Sequence, residues 1–191
     1  MKGVGKVIGR QYLASNIKLG TRFPSFQVLN QSDARPWQLC HFLKSDGRFR
    51  IILFAGNLMS ERQRQRVQSF GEELAAPESF LRRFTPSKKP IDSTIEVLTV
   101  HCAPRQKVEL LDLHEIYHPY NPKEGRDYAK VFVDDISYHE GHGEACRNYG
   151  VYKETGCVVI ARPDQYVGWI GELEDISDME RYFSEILIPQ T

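Results

Sequence analysis

The chain is 191 residues long, 41% hydrophobic and 26% charged, and its 25 basic side chains are matched by 25 acidic ones. That length suits one hydrophobic core, and the balanced charge excludes the global field that draws a protein to nucleic acid or to a membrane surface. No run approaches the ~20 apolar residues of a membrane span and no signal-peptide stretch opens the chain, which points to the cytoplasm.

Residues 1–19 are expected to form a loosely attached leader, with residues 20–191 as the domain proper. GVGKVIG (3–9) has the spacing G-x-G-x-x-x-G, not the G-x-G-x-x-G of a dinucleotide loop, and no strand precedes it. The residues therefore offer no cofactor site there. SFQVL (25–29) predicts a short strand, and DARPWQLCHFL (33–43) a turn followed by a short helix. RIILFAG (50–56) is a near-continuous β-branched and aromatic run, the mark of a strand covered on both faces. Ser60 and Gln63 predict a capping box, and Val67, Phe70 and Leu74 form one helical stripe. RQRQR (62–66) on the same helix reads as solvated surface.

IEVLTVHC (95–102) predicts a second buried strand, RQKVELLDL an extended or short helical piece, and HPYNPKEGRD (118–127) an exposed excursion. YAKVFVDD (128–135) is a further strand with Asp134 and Asp135 at its carboxyl end. GEACRNYGV predicts a short helix stopped by Gly150 in the left-handed conformation. GCVVIARP and YVGWIGEL form a hairpin, and Ile176, Met179, Tyr182, Phe183, Ile186 and Leu187 give a final amphipathic helix. Alternating α and β with a terminal hairpin and helix predicts an α/β fold, a central mixed sheet flanked by helices. The tail follows the pattern of a thioredoxin-like fold.

Such a fold exchanges disulfides through a Cys pair where its central strand meets the next helix. Here that junction, FAGNLMSERQ (54–63), holds no cysteine and the chain has no C-x-x-C, which excludes that exchange. Cys40, Cys102, Cys146 and Cys157 lie far apart in sequence and read as small buried hydrophobes. SYHEGHGEAC (137–146) is the densest polar cluster. Its H-x-x-H-x-x-x-C spacing matches no recognised coordination geometry and lacks a fourth ligand, so no metal site is expected. The catalytic candidates are His101, Asp134, Tyr138, His139 and His142, all near plausible strand ends, where α/β sites form. Turn and helix-cap roles compete with that reading.

ARPDQYVGW (161–169) carries a resemblance. With GTRFPSFQVLNQSDARPWQL, SDGRFRIILFAG and SYHEGHGEACRNYGV in the same order, it resembles the carboxyl-terminal domain of fungal phenol 2-monooxygenase (phenol hydroxylase), an FAD-dependent aromatic hydroxylase. The likeness runs from about Gly20 to Leu187. It implies a thioredoxin-like domain without its cysteines, associated with packing on the enzyme and with dimerisation, the flavin and phenol sites lying in other domains. FAD is thus expected of the full-length enzymes and no cofactor of this chain. Arg162, Pro163, Asp164, Gln165 and Tyr166 match a family signature to which no catalytic role is attached. The expected partner is a second copy or a flavin-dependent monooxygenase chain. The alternatives are an accessory subunit of a separate flavin enzyme and a small cofactor-free isomerase or cyclase acting on an aromatic or polyketide-like compound.

Overall fold

The computed structural model describes residues 9–139, 141 and 143–190. A hairpin of β1 (Gln27–Asn30) and β2 (Pro36–Gln38) comes first. Then follow β3 (Phe49–Gly56), α1 (Glu61–Ala75), the short α2 (Phe80–Phe84) and β4 (Ile95–His101). An insertion of short 3-10 turns carries a two-stranded ribbon, β5 (Tyr120–Asn121) and β6 (Gly125–Arg126). The chain closes with β7 (Val131–Val133), α3 (Ala145–Tyr149), the hairpin of β8 (Cys157–Ala161) and β9 (Val167–Gly171), and α4 (Ile176–Ser184). The main sheet has the order β2-β1-β7-β4-β3-β8-β9. β7, β4 and β3 run parallel and every other neighbouring pair is antiparallel. This is the mixed sheet that the sequence pattern predicts.

All eight residues of β3 are buried, and side-chain alternation explains why the run is continuous. Phe49, Ile51, Leu53 and Ala55 join the core beneath α1, α2 and α4. Ile52 and Phe54 face the opposite core, built with α3 and the first segment of the chain. On α1 the predicted stripe of Val67, Phe70 and Leu74 is buried. In α4, Met179 and Phe183 are buried, and the helix ends before Ile186, which stays half exposed. Gly150 stops α3 at φ +70°, as its position foretells.

Two expectations need correcting. The first concerns the leader. From residue 9 onward it is docked, with Ala14 and Ile17 fully buried. Arg10 pairs with Asp175 at 2.8 Å, and the backbone amides of Ser15 and Asn16 donate to the carbonyls of Gly150 and Tyr149. Three buried apolar residues (Leu13, Ala14, Ile17) in a glycine-poor stretch are the reason. GVGKVIG falls almost wholly outside the described residues. The second concerns residues 33–43, where the expected turn and helix gain an edge strand, β2, before a 3-10 turn at Leu39–Phe42. A proline is tolerated there because an edge strand has a side free of ladder bonds.

The signature hairpin is a rigid corner. The amide of Gln165 donates to the carbonyl of Arg162 and that of Arg162 to Tyr166, with Gln165 itself at φ +68°. Such a three-residue loop needs a left-handed residue at its last position, usually glycine. Gln165 holds the strained conformation with its side chain, donating to Leu43 O at 2.7 Å and accepting from Arg22. Arg162 pairs with Asp164, which also caps Tyr166 N. Residues 20–23 hydrogen-bond to the hairpin through Val167 and Gln165, so the signature fastens the early chain over the outer edge of the sheet.

The amino ends of the three parallel strands carry a buried charge network. Arg50, 1% exposed, donates to Glu96 at 2.8 Å, to both carboxylate oxygens of Asp46 and to the carbonyls of Lys44 and Arg48. Arg48 and Lys130 reach the other oxygen of Glu96, at 2.9 and 3.2 Å. Burial alone would raise the Asp46 carboxyl, but hydrogen bonds from Arg50 and Arg48 hold it far below the usual range.

Candidate functional site at the carboxyl ends of the parallel strands

In open α/β sheets, ligands gather beyond the carboxyl ends of the strands. Here those ends are Gly56, the last residue of β3, and Cys102 and Asp134, the residues that follow β4 and β7. The backbone itself ties the first two together, Cys102 N donating to Gly56 O at 2.9 Å. Gly56 and Gly156 face each other at positive φ, and a Cβ on Gly156 would lie 1.9 Å from Phe54 O. Only glycine allows that approach.

The strand-to-helix junction is filled by Gln63. Ser60 caps α1 by accepting from Gln63 N, as predicted, but the reciprocal half of the capping box is absent. The Gln63 side chain turns inward, 2% exposed, and donates to Ala55 O at 2.8 Å and Thr155 O at 3.1 Å. Its own oxygen accepts from Arg66, which is held by both oxygens of Glu174. An amide wedge of this kind binds two backbone strands together and presents no nucleophile. RQRQR is accordingly mixed: Arg62 and Arg64 are exposed, whereas Arg66 is half-buried structure.

Among the described residues, the candidates do not converge. His101 is fully buried, its Nε2 donating to the amide oxygen of Gln31 at 2.9 Å. Burial pushes its pKa down to about 4, against a small opposing pull from Asp135, so the imidazole is neutral at ordinary pH. Asp134 accepts from the amides of Ala145 and Cys146 at 2.7 and 3.0 Å, capping α3 from a distant strand end, with the Lys153 ammonium 3.5 Å away. This is the competing cap reading of a strand-end aspartate. Asp135 caps the turn at Arg105 N. Tyr138 is 95% exposed and packs edge-on against the exposed His139; both line an open cleft of about 780 Å³ with Arg105, Lys107 and Asp135. His142 lies outside the described residues.

Cys146 sits not with His139 but with Cys102. Their sulfurs are 2.7 Å apart, beside Asp134. The reading of all four cysteines as small buried hydrophobes fails at this pair and at the half-buried Cys40: the end of β4 and α3, with their cysteines 44 residues apart, meet at the carboxyl end of the sheet, and no single-sequence signal reports that approach. A second acidic group, Asp92, Glu96 and Asp127, already holds the Lys130 ammonium among its oxygens.

Among solved structures the chain resembles a putative protein disulfide isomerase from Bacteroides thetaiotaomicron. They share 12% identity with a TM-score of 0.54 over 90% of this chain and 91% of that one. A peroxiredoxin-like protein from Aquifex aeolicus follows at 13% identity and a TM-score of 0.52, covering 87% and 88%. Likeness at that identity concerns the fold, which is thioredoxin-like. In sequence, the chain is 38% identical to a phenol 2-monooxygenase of Aspergillus fumigatus over 90% of its own length and 27% of that protein's. It is 33% identical to an FAD-dependent monooxygenase of Aspergillus terreus (93% and 29%) and 35% identical to a 3-hydroxybenzoate 4-monooxygenase of Comamonas testosteroni (93% and 28%). The chain thus spans little more than a quarter of these relatives. Residues 4–191 match the family model described as the phenol hydroxylase C-terminal dimerisation domain, and the chain belongs to that family.

Proposed function

We propose that this chain is a non-catalytic association domain that pairs with a second copy of itself, without a flavin or phenol site of its own. The observation that carries the reading is Gln63. Where the fold would place a reactive thiol, a buried amide joins Ala55 to Thr155, so the position serves rigidity. The family's description as a dimerisation domain supports it. So does the dispersal of the candidates, with His101 buried, Asp134 spent on a helix cap and Tyr138 and His139 on a surface loop. That dispersal speaks against an isomerase or cyclase. No helix among the described residues is long and apolar enough to cross a membrane, and the proposed setting is the cytoplasm.

A second reading is docking onto a separate flavin-bearing chain, since the relatives named for FAD are several times longer than the stretch matched here. Co-purification separates the two. Two differently tagged copies co-expressed should be recovered together and should be colourless. Recovery of untagged flavoprotein with the tagged chain, and no recovery of the second copy, would favour the accessory role. A yellow chain with stoichiometric flavin would sink the claim that it lacks a flavin site.

A further inference from the structure

We propose that Cys102 and Cys146 form a reversible intramolecular disulfide when the chain meets a peroxide, a covalent modification site outside the position used by thiol-exchanging members of the fold. The sulfurs already stand 2.7 Å apart, against about 2.05 Å in a disulfide bond, so closure needs little more than a side-chain rotation. Both ends are held in place. Cys102 is tied to Gly56 through its amide, and Cys146 donates its own amide to Asp134 in the first turn of α3.

The two thiols differ in access. Cys102 is half-buried while Cys146 is buried, and the hydrogen bond with Cys102, together with burial, holds the Cys146 thiol well above its ordinary range. Cys102 is therefore the entry point. Its thiolate attacks one peroxide oxygen, the O–O bond breaks, and the departing hydroxide takes up a proton as water, leaving a sulfenic acid. The Cys146 sulfur then attacks the Cys102 sulfur and loses its proton, and the second water leaves. Two thiols have given two electrons to the peroxide and two waters are released. The Lys153 ammonium beside Asp134 offsets that carboxylate's opposition to a thiolate here. Cys40 and Cys157 are free and are not part of the pair.

A zinc site made from the same sulfurs with Asp134 fits less well. Two thiolates on one tetrahedral zinc lie ~3.8 Å apart. Both Asp134 oxygens are engaged by backbone amides, and a lysine ammonium sits beside them. The disulfide would instead fasten the end of β4 to α3 and close the loop that contains the insertion, β7 and the Tyr138–His139 turn. A bridge of this kind is a lock, not an exchange catalyst, because one of its sulfurs is buried.

The test uses the full chain, reduced, freed of reductant and treated with stoichiometric hydrogen peroxide, then denatured, alkylated and mapped by mass spectrometry. The expected result is a linked pair of peptides carrying Cys102 and Cys146, about 2 Da lighter than the two thiols together, reversed by dithiothreitol. The oxidised chain should also melt at a higher temperature than the reduced one. In Cys146→Ser, dimedone should trap a sulfenic acid at Cys102. Mapping of the unsubstituted chain does not depend on that variant folding. Full alkylation of both cysteines after peroxide, linkage of another pair, or retention of one zinc per reduced chain would each overturn the proposal.

Discussion

The two ends of the parallel strands are built from opposite kinds of polarity. At the amino ends, Arg50, Glu96, Asp46, Arg48 and Lys130 form a dense ionic network in which Arg50 alone makes five hydrogen bonds. At the carboxyl ends, where this fold places chemistry, the groups are a neutral amide, a neutral imidazole, two thiols and the carboxylates of Asp134 and Asp135, both spent on capping, with the Lys153 ammonium beside the first. The difference shows that buried charge does not by itself mark function. The charged end is saturated and structural. The quieter end holds the facing thiols of Cys102 and Cys146, the atoms on which the proposed oxidation acts.

The comparison breaks hardest at Glu96. Replacing it with alanine leaves Arg50 and Lys130 buried beside one lost anion, and such a loss costs about 3–5 kcal/mol. Urea unfolding should show the drop. A change within ±0.5 kcal/mol would mean that the network relaxes to water freely.

At the opposite end the comparable lever is pH. The His101 pKa is lowered to about 4 by burial, so between pH 6.5 and 4 the unfolded chain binds a proton that the folded chain refuses. Stability should therefore fall as pH drops through that window, by about 3 kcal/mol in all. His101→Gln should flatten the profile there. Asp46 acts elsewhere: its depressed pKa stabilises the fold above its unfolded value of 3.8 and is lost only at more acidic pH.

Gln63→Ala removes the side-chain donor shared by the carbonyls of Ala55 and Thr155, the latter still held by Arg66, and should cost about 1–3 kcal/mol. It should leave self-association intact once the chain is folded, as seen by light scattering at low temperature. Asp134→Ala removes the cap of α3 for about 1 kcal/mol. It should also raise the reactivity of Cys146 toward a thiol reagent, since both a nearby anion and a fixed helix end are lost. Unchanged reactivity would mean that Asp134 does not govern the pair.

Much of this architecture can be read along the chain. The β3 run, the α1 stripe and Gly150 are local patterns whose physics acts within a few residues, and each is found where the pattern puts it. The ARPDQY corner is equally local, although Gln165 taking the left-handed position needs Leu43 and Arg22 to explain it. What the chain does not display is tertiary approach. Ser60 and Gln63 spell a capping box, yet the Gln63 side chain is captured by Thr155, 92 residues on. Cys102 and Cys146 show no spacing motif because the topology brings them together from two elements. His101 looks like a strand-end candidate until Gln31 and full burial are seen around it. Tyr138 and His139 are placed where the pattern suggests, but they face solvent.

The central claim is that the chain associates with itself and catalyses no reaction alone. The most direct test is the solution mass of the purified, reduced chain across a concentration series, by sedimentation or light scattering. The account predicts a dimer that persists on dilution. A well-folded monomer at every concentration would contradict it.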